Sequence, residues 1–370
     1  MPLLDERPAT SFSAPRSSFA PAPAERRGVA RDRVRLLVAD GGRGLTHTRF
    51  AHLAEHLRAG DVVVVNDSAT VAAQLDALSD RHGPVVVHLA APLPDPSTGS
   101  GQATGSGQAW VVEVRRAPDA DRSVLDAEPD DVLEIAAGAA RLRLVAPYPE
   151  PDSSPTGTGN RLWRADAEGD LAAVARRYGR PISYGYLADR YPLGDYQTVF
   201  GRRPGSAEMP SAGRPFTAEL VTRLVAGGVM VAPVTLHTGV SSQEAGEAPQ
   251  PERFEVSAAT AAVVNAARAG GGRVIAIGTT VTRALESAVE PAGDHHRLVP
   301  ARGWTTRVVT PADPPRIVDG LVTGWHDPEA SHLLLVEAVA GTELTQRAYA
   351  AAVDARYLWH EFGDSALLLP

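Results

Sequence analysis

RVIAIGTTVTRALES, residues 273–287, decides how the rest of the chain is read. Its first half is a short, wholly apolar run of the kind that fills a buried strand, and Gly278 permits a tight turn. Thr279 and Thr280 are good N-cap residues, and VTRALESAV continues with helical spacing. A strand that feeds a helix N-terminus at the carboxyl edge of a sheet forms the usual ligand crevice of an α/β fold. Free N–H groups there favour a carboxylate or a phosphate. On a second reading, the threonines only cap their own helix.

Working outward, the same alternation extends from about residue 168 to the C-terminus. Helical patterns (DLAAVARRYG, FTAELVTRLVAGG, SAATAAVVNAARAGG, ELTQRAYAAAVDARY) interleave with the strand patterns VMVAPVTLH, RVIAIG and TRVVT, and HLLLVEAVAG adds an apolar helix with Ser331 as its cap. That texture means an α/β layer with a mainly parallel sheet. Residues 31–66 share it: LLVAD reads as a strand, FAHLAEHLRAGD as a helix ending at Gly60, and VVVVND as a buried strand. Between these parts, VVVHLA (85–90), WVVEVRR (110–116), DVLEIAAG (131–138) and ARLRLVAPY (140–148) are short and β-rich, as in a small barrel or sandwich. The Gly/Ser/Thr/Pro-rich stretches 94–109 and 150–160 read as flexible loops. The expected organisation is an α/β main domain, residues 31–69 and 166–370, with a small β-barrel domain inserted at 70–165. Residues 1–30 form a loosely ordered arm without the apolar segment of a signal peptide.

Composition narrows the chemistry. The 370 residues contain no cysteine, which removes disulfides, thiolate metal ligands and cysteine nucleophiles. They contain no lysine either, so all 36 basic side chains are Arg; Schiff-base chemistry and the lysine phosphate loop are excluded. A net charge of −8 argues against nonspecific coating of nucleic acid, although local arginines (176, 177, 180 and 190, or 202, 203 and 214) leave room for gripping one folded RNA. No apolar run approaches a membrane span, so the chain reads as cytoplasmic. GGRG (41–44) and GGGR (270–273) lack the spacing of a dinucleotide fingerprint. His52 and His56 have a metal-compatible spacing on a helix but no third ligand nearby, and Asp294, His295 and His296 read as a polar loop.

Four further motifs complete the picture: DYQTVFG (195–201), MPSAGRPFT (209–217), VTLHTG (234–239) and VDGLVTGWHDPEASHLLL (318–335). Together with 273–287, with Asn66-Asp67 after the Val run and with FGDS (362–365), their order resembles the S-adenosylmethionine:tRNA ribosyltransferase-isomerases of queuosine biosynthesis. The resemblance runs from residue 31 to residue 369. It implies a donor, S-adenosylmethionine (SAM), with no metal, and an acceptor, an aminomethyl-deazaguanine base in tRNA. It also implies release of adenine and methionine and formation of an epoxycyclopentane. The residues it points to are His237, His326 and Asp364 for catalysis, with His237 or His326 moving the proton because an unperturbed His titrates near neutrality. For substrate binding it points to Asn66, Asp67, Tyr196, Gln197, Thr198, Gly278, Thr279, Thr280, Arg283 and Glu286. A lone His at a strand end also fits a purely structural role, and Asn66-Asp67 also fits a simple turn.

The resemblance breaks at polar positions. Ala69 and Gln74 stand where the family has arginines, Arg214-Pro215 replaces Leu-His, Gly324 and Asp327 replace Asn and Leu, and residues 240–256 lack the family's His-rich stretch. The intact GTT..R..ES run therefore supports the donor better than the acceptor, for which tRNA is the first expectation with weakened grip. A small-molecule acceptor, or a non-catalytic SAM- or RNA-binding module, remains open.

Overall fold

The computed structural model describes residues 4–93, 108–151, 157–240, 246–328 and 330–370; most of the two expected loops, at 94–107 and 152–156, lies outside them. A nine-stranded mixed sheet forms the centre. Its order is Ala301–Thr305, Glu252–Val256, Met230–His237, Val62–Asn66, Val274–Ile277, Gly320–Thr323, Ser365–Leu369, Arg35–Asp40, Gly44–Arg49. The strands Met230–His237, Val62–Asn66, Val274–Ile277 and Gly320–Thr323 run parallel, which brings Asn66, His237, Gly278 and Thr323 to one edge.

The run of valines at 62–65 is buried on both faces, as a central parallel strand requires. Val62 and Val64 join the apolar layer beneath the helices α3 (Ala258–Ala269), α4 (Thr279–Glu286), α5 (His332–Ala340) and α6 (Thr342–Asp354). Val63 and Val65 face the opposite layer, with Phe216 and with Leu220 and Leu224 of α2 (Ala218–Ala226). Period-two alternation thus serves two cores at once, each buried Val contributing about 1.5–3 kcal/mol.

A closed antiparallel barrel of six strands spans Gln74 to Glu168 and is followed by α1 (Leu171–Tyr178), so the fold is the expected α/β sheet domain with a small β-barrel. Inside it Glu113 is fully buried beside Arg115 at 2.6 Å, Arg161 at 3.2 Å and His88 at 3.5 Å, and these partners hold its carboxyl well below the usual range against the cost of burial. Two barrel strands lacked an apolar run to announce them: Leu162–Glu168 carries charges at alternate positions, and Gln74–Ser79 is broken by Asp76.

The structure corrects several local expectations. Residues 50–56 form a 3₁₀ helix that ends before Leu57, not an α-helix reaching Gly60, so His52 and His56 do not sit one α-turn apart. The strand expected at TRVVT lies earlier, at Ala301–Thr305, where it pairs with Glu252–Val256. His295 and His296 belong to a short hairpin strand. Ser331 occupies the N-cap of α5 without a side-chain bond. The N-terminal arm is not loose from residue 4 onward: the Thr10 N–H donates to Glu337 at 2.6 Å, Phe12 stacks on Trp359 at 5.2 Å, and Ala20 N–H bonds the Trp359 carbonyl at 3.1 Å.

Candidate active site

The carboxyl ends of the parallel strands open onto a cavity of about 980 Å³ to which the barrel contributes Arg115 and Asp121. Small-molecule sites usually enclose about 300–1,000 Å³, which makes this one spacious. Gly278, at φ 95°, turns the chain from Val274–Ile277 into α4, and a β-carbon there would press against Ala212 at 3.2 Å. Because glycine takes the N-cap, neither threonine caps the helix. Thr279 and Thr280 occupy its first turn and line the cavity, and the Thr280 hydroxyl accepts from Asn66 at 3.4 Å.

Arg283, one turn on, also reaches the cavity wall, but its guanidinium is committed. It donates to the carbonyls of Arg307 and Gln250, each at 3.0 Å, and to the Glu252 carboxylate. Burial lowers the Arg283 pKa and raises that of Glu252, each countered by its partner. Glu286 faces away and accepts the N–H groups of Arg316, Ile317 and Val318 at 2.8–3.1 Å, fixing the approach to Gly320–Thr323.

The two candidate histidines separate. His237 does not line the cavity: its Nδ1 lies 2.7 Å from the Ser68 hydroxyl, and its ring fills the space beside Gly205, where a β-carbon would come within 2.5 Å. His326 lines the cavity, with Nε2 2.9 Å from the Thr323 hydroxyl and its ring stacked on His332 at 5.0 Å. Neither has the near-neutral titration expected of it. Burial, then Arg253 and Arg203, brings His237 to about 4; burial, then His332 and His360, holds His326 well below its ordinary value. Both are neutral at pH 7.

Most other sequence candidates act as fasteners. Asn66 bonds the backbone of Leu236 (2.8 and 3.1 Å) and of Ser68 (3.0 Å), riveting two parallel strands. Asp67 accepts from the Thr235 hydroxyl at 2.5 Å and faces Arg203 at 3.3 Å. Gln197 clasps both backbone groups of Thr70, the Thr70 hydroxyl bonds the Tyr196 carbonyl, and Thr198 accepts from Phe200 N–H, so DYQTVFG joins sheet to barrel. Asp364 lies outside the cavity: it binds Arg35 through the backbone N–H (2.7 Å) and Nε (3.0 Å) and takes the Leu358 N–H at 2.8 Å, closing the turn 358–364.

That turn carries a part of the cavity that no sequence motif announced. His360 sits at φ 67°, a left-handed conformation that costs a non-glycine residue about 1–3 kcal/mol. Its ring stacks on Tyr186 at 4.9 Å, meets Phe19 edge-on at 4.1 Å, and its Nε2 lies 3.5 Å from Asp327. Tyr184 stacks next to Tyr186 and donates its hydroxyl to Glu208. Glu361 lines the same corner with a buried Oε2 that meets no hydrogen-bond partner. Burial, then the charge of Glu208, raises the Glu361 pKa to about 8. The signals available were the alternating aromatics of ISYGY and the position of His360 and Glu361 immediately before FGDS. Among the described residues, no group of three or more His, Asp or Glu side chains is placed to hold a metal, and no helix is long and apolar enough to cross a membrane.

The family model of a queuosine biosynthesis protein matches residues 9–368. The chain is 32% identical over 371 residues to the S-adenosylmethionine:tRNA ribosyltransferase-isomerase of Symbiobacterium thermophilum, covering 97% of this chain and 98% of that one. It is 35% identical over 349 residues to the protein of the same name from Thermus thermophilus, covering 92% and 93%. The crystal structure of an S-adenosylmethionine tRNA ribosyltransferase from Thermotoga maritima superposes with a TM-score of 0.51 at 24% identity, covering 97% of this chain and 99% of that one, a likeness of fold.

Proposed function

This chain belongs to the queuosine biosynthesis protein family, and from that premise we propose that it transfers and isomerises the ribosyl group of SAM onto an aminomethyl-deazaguanine base in tRNA. The observation that carries the reading is the cavity at the parallel strand ends, with Gly278, Thr279 and Thr280 on its wall. The first turn of α4 presents unpaired N–H groups and two hydroxyls, donors that suit the amino-acid carboxylate of SAM. Arg283 does not supply the counter-charge, since Glu252 already neutralises it. The family matches support both donor and tRNA acceptor, and the protein acts in the compartment that holds its tRNA, the cytoplasm.

The chemistry asks little of the protein beyond placement and proton transfer. The sulfonium acidifies the adjacent ribose methylene; removal of one proton lets the sugar rearrange and adenine leave, the acceptor amine attacks, and cleavage of the carbon–sulfur bond releases methionine as the epoxide closes. His326 is the group we assign to the first proton transfer. It lines the cavity and Thr323 fixes its ring; its imidazole is neutral, and burial, with His332 and His360, makes it a weaker base than a free histidine.

The test is product analysis: SAM with tRNA bearing the aminomethyl-deazaguanine base yields free adenine, free methionine and a tRNA heavier by the transferred cyclopentane. Intact SAM and unmodified tRNA after incubation would refute the reading.

A further inference from the structure

The cavity has two chemically different ends, and only one of them is absorbed by the donor. On the part of the cavity wall built by residues 184–186 and 358–364, Tyr186 stacks on His360 at 4.9 Å, and Tyr184 stacks on Tyr186 in turn, an aromatic stack at the cavity wall. Glu208 and Glu361 stand beside it. The Glu208 carboxyl receives the Tyr184 hydroxyl, so its position is fixed from within the protein. Glu361 differs: its buried Oε2 is unbonded. A buried carboxyl oxygen without a partner is costly, and at a cavity wall a ligand donor can supply the missing partner. The left-handed backbone at His360 costs further stability, and the Asp364 bond to Leu358 N–H holds this turn in place.

A ligand that fits an aromatic wall with a carboxyl at its margin is a flat heterocycle bearing a cation, and the acceptor base carries a primary ammonium. We propose that Glu361 is a catalytic residue of the acceptor half of the cavity, taking a proton from the ammonium of the acceptor so that the amine can attack the ribosyl carbon. The inference rests on the function proposed above and names the group that performs one of its steps. The N–H bond breaks, its electron pair stays on nitrogen and forms the new C–N bond, and the proton ends on the Glu361 carboxylate as an O–H.

The surroundings suit that exchange. Glu208 raises the basicity of Glu361, together with burial. Tyr184, Tyr186 and Tyr196 face the same carboxyl, and all three hold their protons far above neutrality. His360 is its chain neighbour and is directed to Asp327. On the other side Arg31 and Arg214 share a shallow crevice with Glu361, but both are paired with Glu25 at 2.9 Å. No cation therefore locks Glu361 in its ionised form. An ordinary carboxylate, titrating near ~4.3, is too weak a base for an alkylammonium near ~10; one at about 8 is close to matched.

The test compares wild type, Glu361→Gln and Glu361→Asp, using SAM and tRNA carrying the aminomethyl-deazaguanine base, with formation of the heavier, modified tRNA as the readout and SAM affinity measured separately by calorimetry. Wild-type kcat/KM for tRNA rises with pH and levels near 8. Glu361→Gln loses about 100-fold or more near pH 7, keeps its SAM affinity, and recovers progressively toward pH 10 as the amine loses its proton unaided. Glu361→Asp retains the limb near 8 at reduced rate. Unchanged rates and an unchanged pH profile in Glu361→Gln overturn the assignment, as does a selective loss of SAM binding, which would place Glu361 with the donor. A wild-type protein that forms no modified tRNA with this acceptor overturns instead the proposed function on which the assignment rests.

Discussion

The two ends of the cavity are built on opposite principles. At the α4 end the protein answers its own charges: Arg283 meets Glu252, Asn66 bonds Leu236 and Ser68, and Thr280 accepts from Asn66. At the Tyr186 end it leaves a carboxyl oxygen of Glu361 unbonded and bends His360 into a strained conformation. The first arrangement makes a rigid floor whose remaining donors are backbone N–H groups; the second keeps reactive capacity in reserve. Substitutions at the first end should therefore damage stability, and substitutions at the second should damage turnover.

The largest effect expected is at the floor. Arg283→Ala leaves Glu252 as a buried carboxyl with one backbone donor, Gly239 N–H at 3.0 Å. Loss of one partner of a buried pair costs about 3–5 kcal/mol, to be read from urea unfolding. A variant with wild-type stability would show that the floor does not depend on this pair.

The two histidines sharpen the contrast next. His326→Ala should lower kcat by about 10²–10⁴-fold with the fold intact. His237→Ala should instead cost about 1–3 kcal/mol of stability through the lost Ser68 contact, with kcat nearly unchanged. Equal kinetic losses in both would put His237 back among the reacting groups.

Acid and base should also divide the two ends. His332, at about 4, and His326 bind fewer protons folded than unfolded, so they cost stability as pH falls below about 6.5, roughly 2–3 kcal/mol for His332 by pH 4. Glu361 works in the other direction. Folded it holds its proton up to about 8, so stability falls as pH rises from about 4.5 to 8, by a few kcal/mol. Thermal unfolding of Glu361→Gln across pH 5–8 should lack that alkaline decline; an unchanged decline would assign it to another group.

The smallest expected effect concerns the approach to the cavity. Arg214 is buried under Glu25 and over the Phe362 ring at 4.9 Å, so it cannot replace the arginines missing at Ala69 and Gln74. Gln74 is itself buried and holds Ser183 N–H at 3.0 Å. Of the arginines considered, 176, 177, 190, 202 and 203 are exposed; 202 and 203 follow DYQTVFG, and Arg203 is shared between Glu255 at 2.9 Å and Asp67 at 3.3 Å. Arg202→Ala with Arg203→Ala should weaken tRNA binding about tenfold and reduce its salt slope by about 2, with SAM affinity unaltered. No change in either quantity would move the RNA path elsewhere.

How much was legible follows from how each end is assembled. The floor lies within one contiguous strand–turn–helix, so period and glycine placement sufficed to find Gly278, Thr279 and Thr280. Periodicity could not tell that Gly278 would take the cap, because that depends on a backbone angle rather than on residue preference. The second end gathers residues 184, 186, 208, 360 and 361 from three distant segments, and no local pattern links them. Motif matching also promoted residues that hold the fold together: Gln197, Asp364 and Glu286 bond backbone N–H groups, a role that spacing alone does not distinguish from ligand binding. The barrel's Gln74–Ser79 strand was hidden because it is short and polar at both ends, Gln74 and Ser79 being buried, with Asp76 breaking its middle.

The central claim is that donor and acceptor occupy separate ends of one cavity. Determining the structure of the protein with SAM bound tests it most directly. The account predicts the methionine carboxylate at the N–H groups of Thr279 and Thr280, with the Tyr186–Glu361 corner left open for the acceptor. A SAM molecule whose adenine or amino group fills that corner and bonds Glu361 would contradict it.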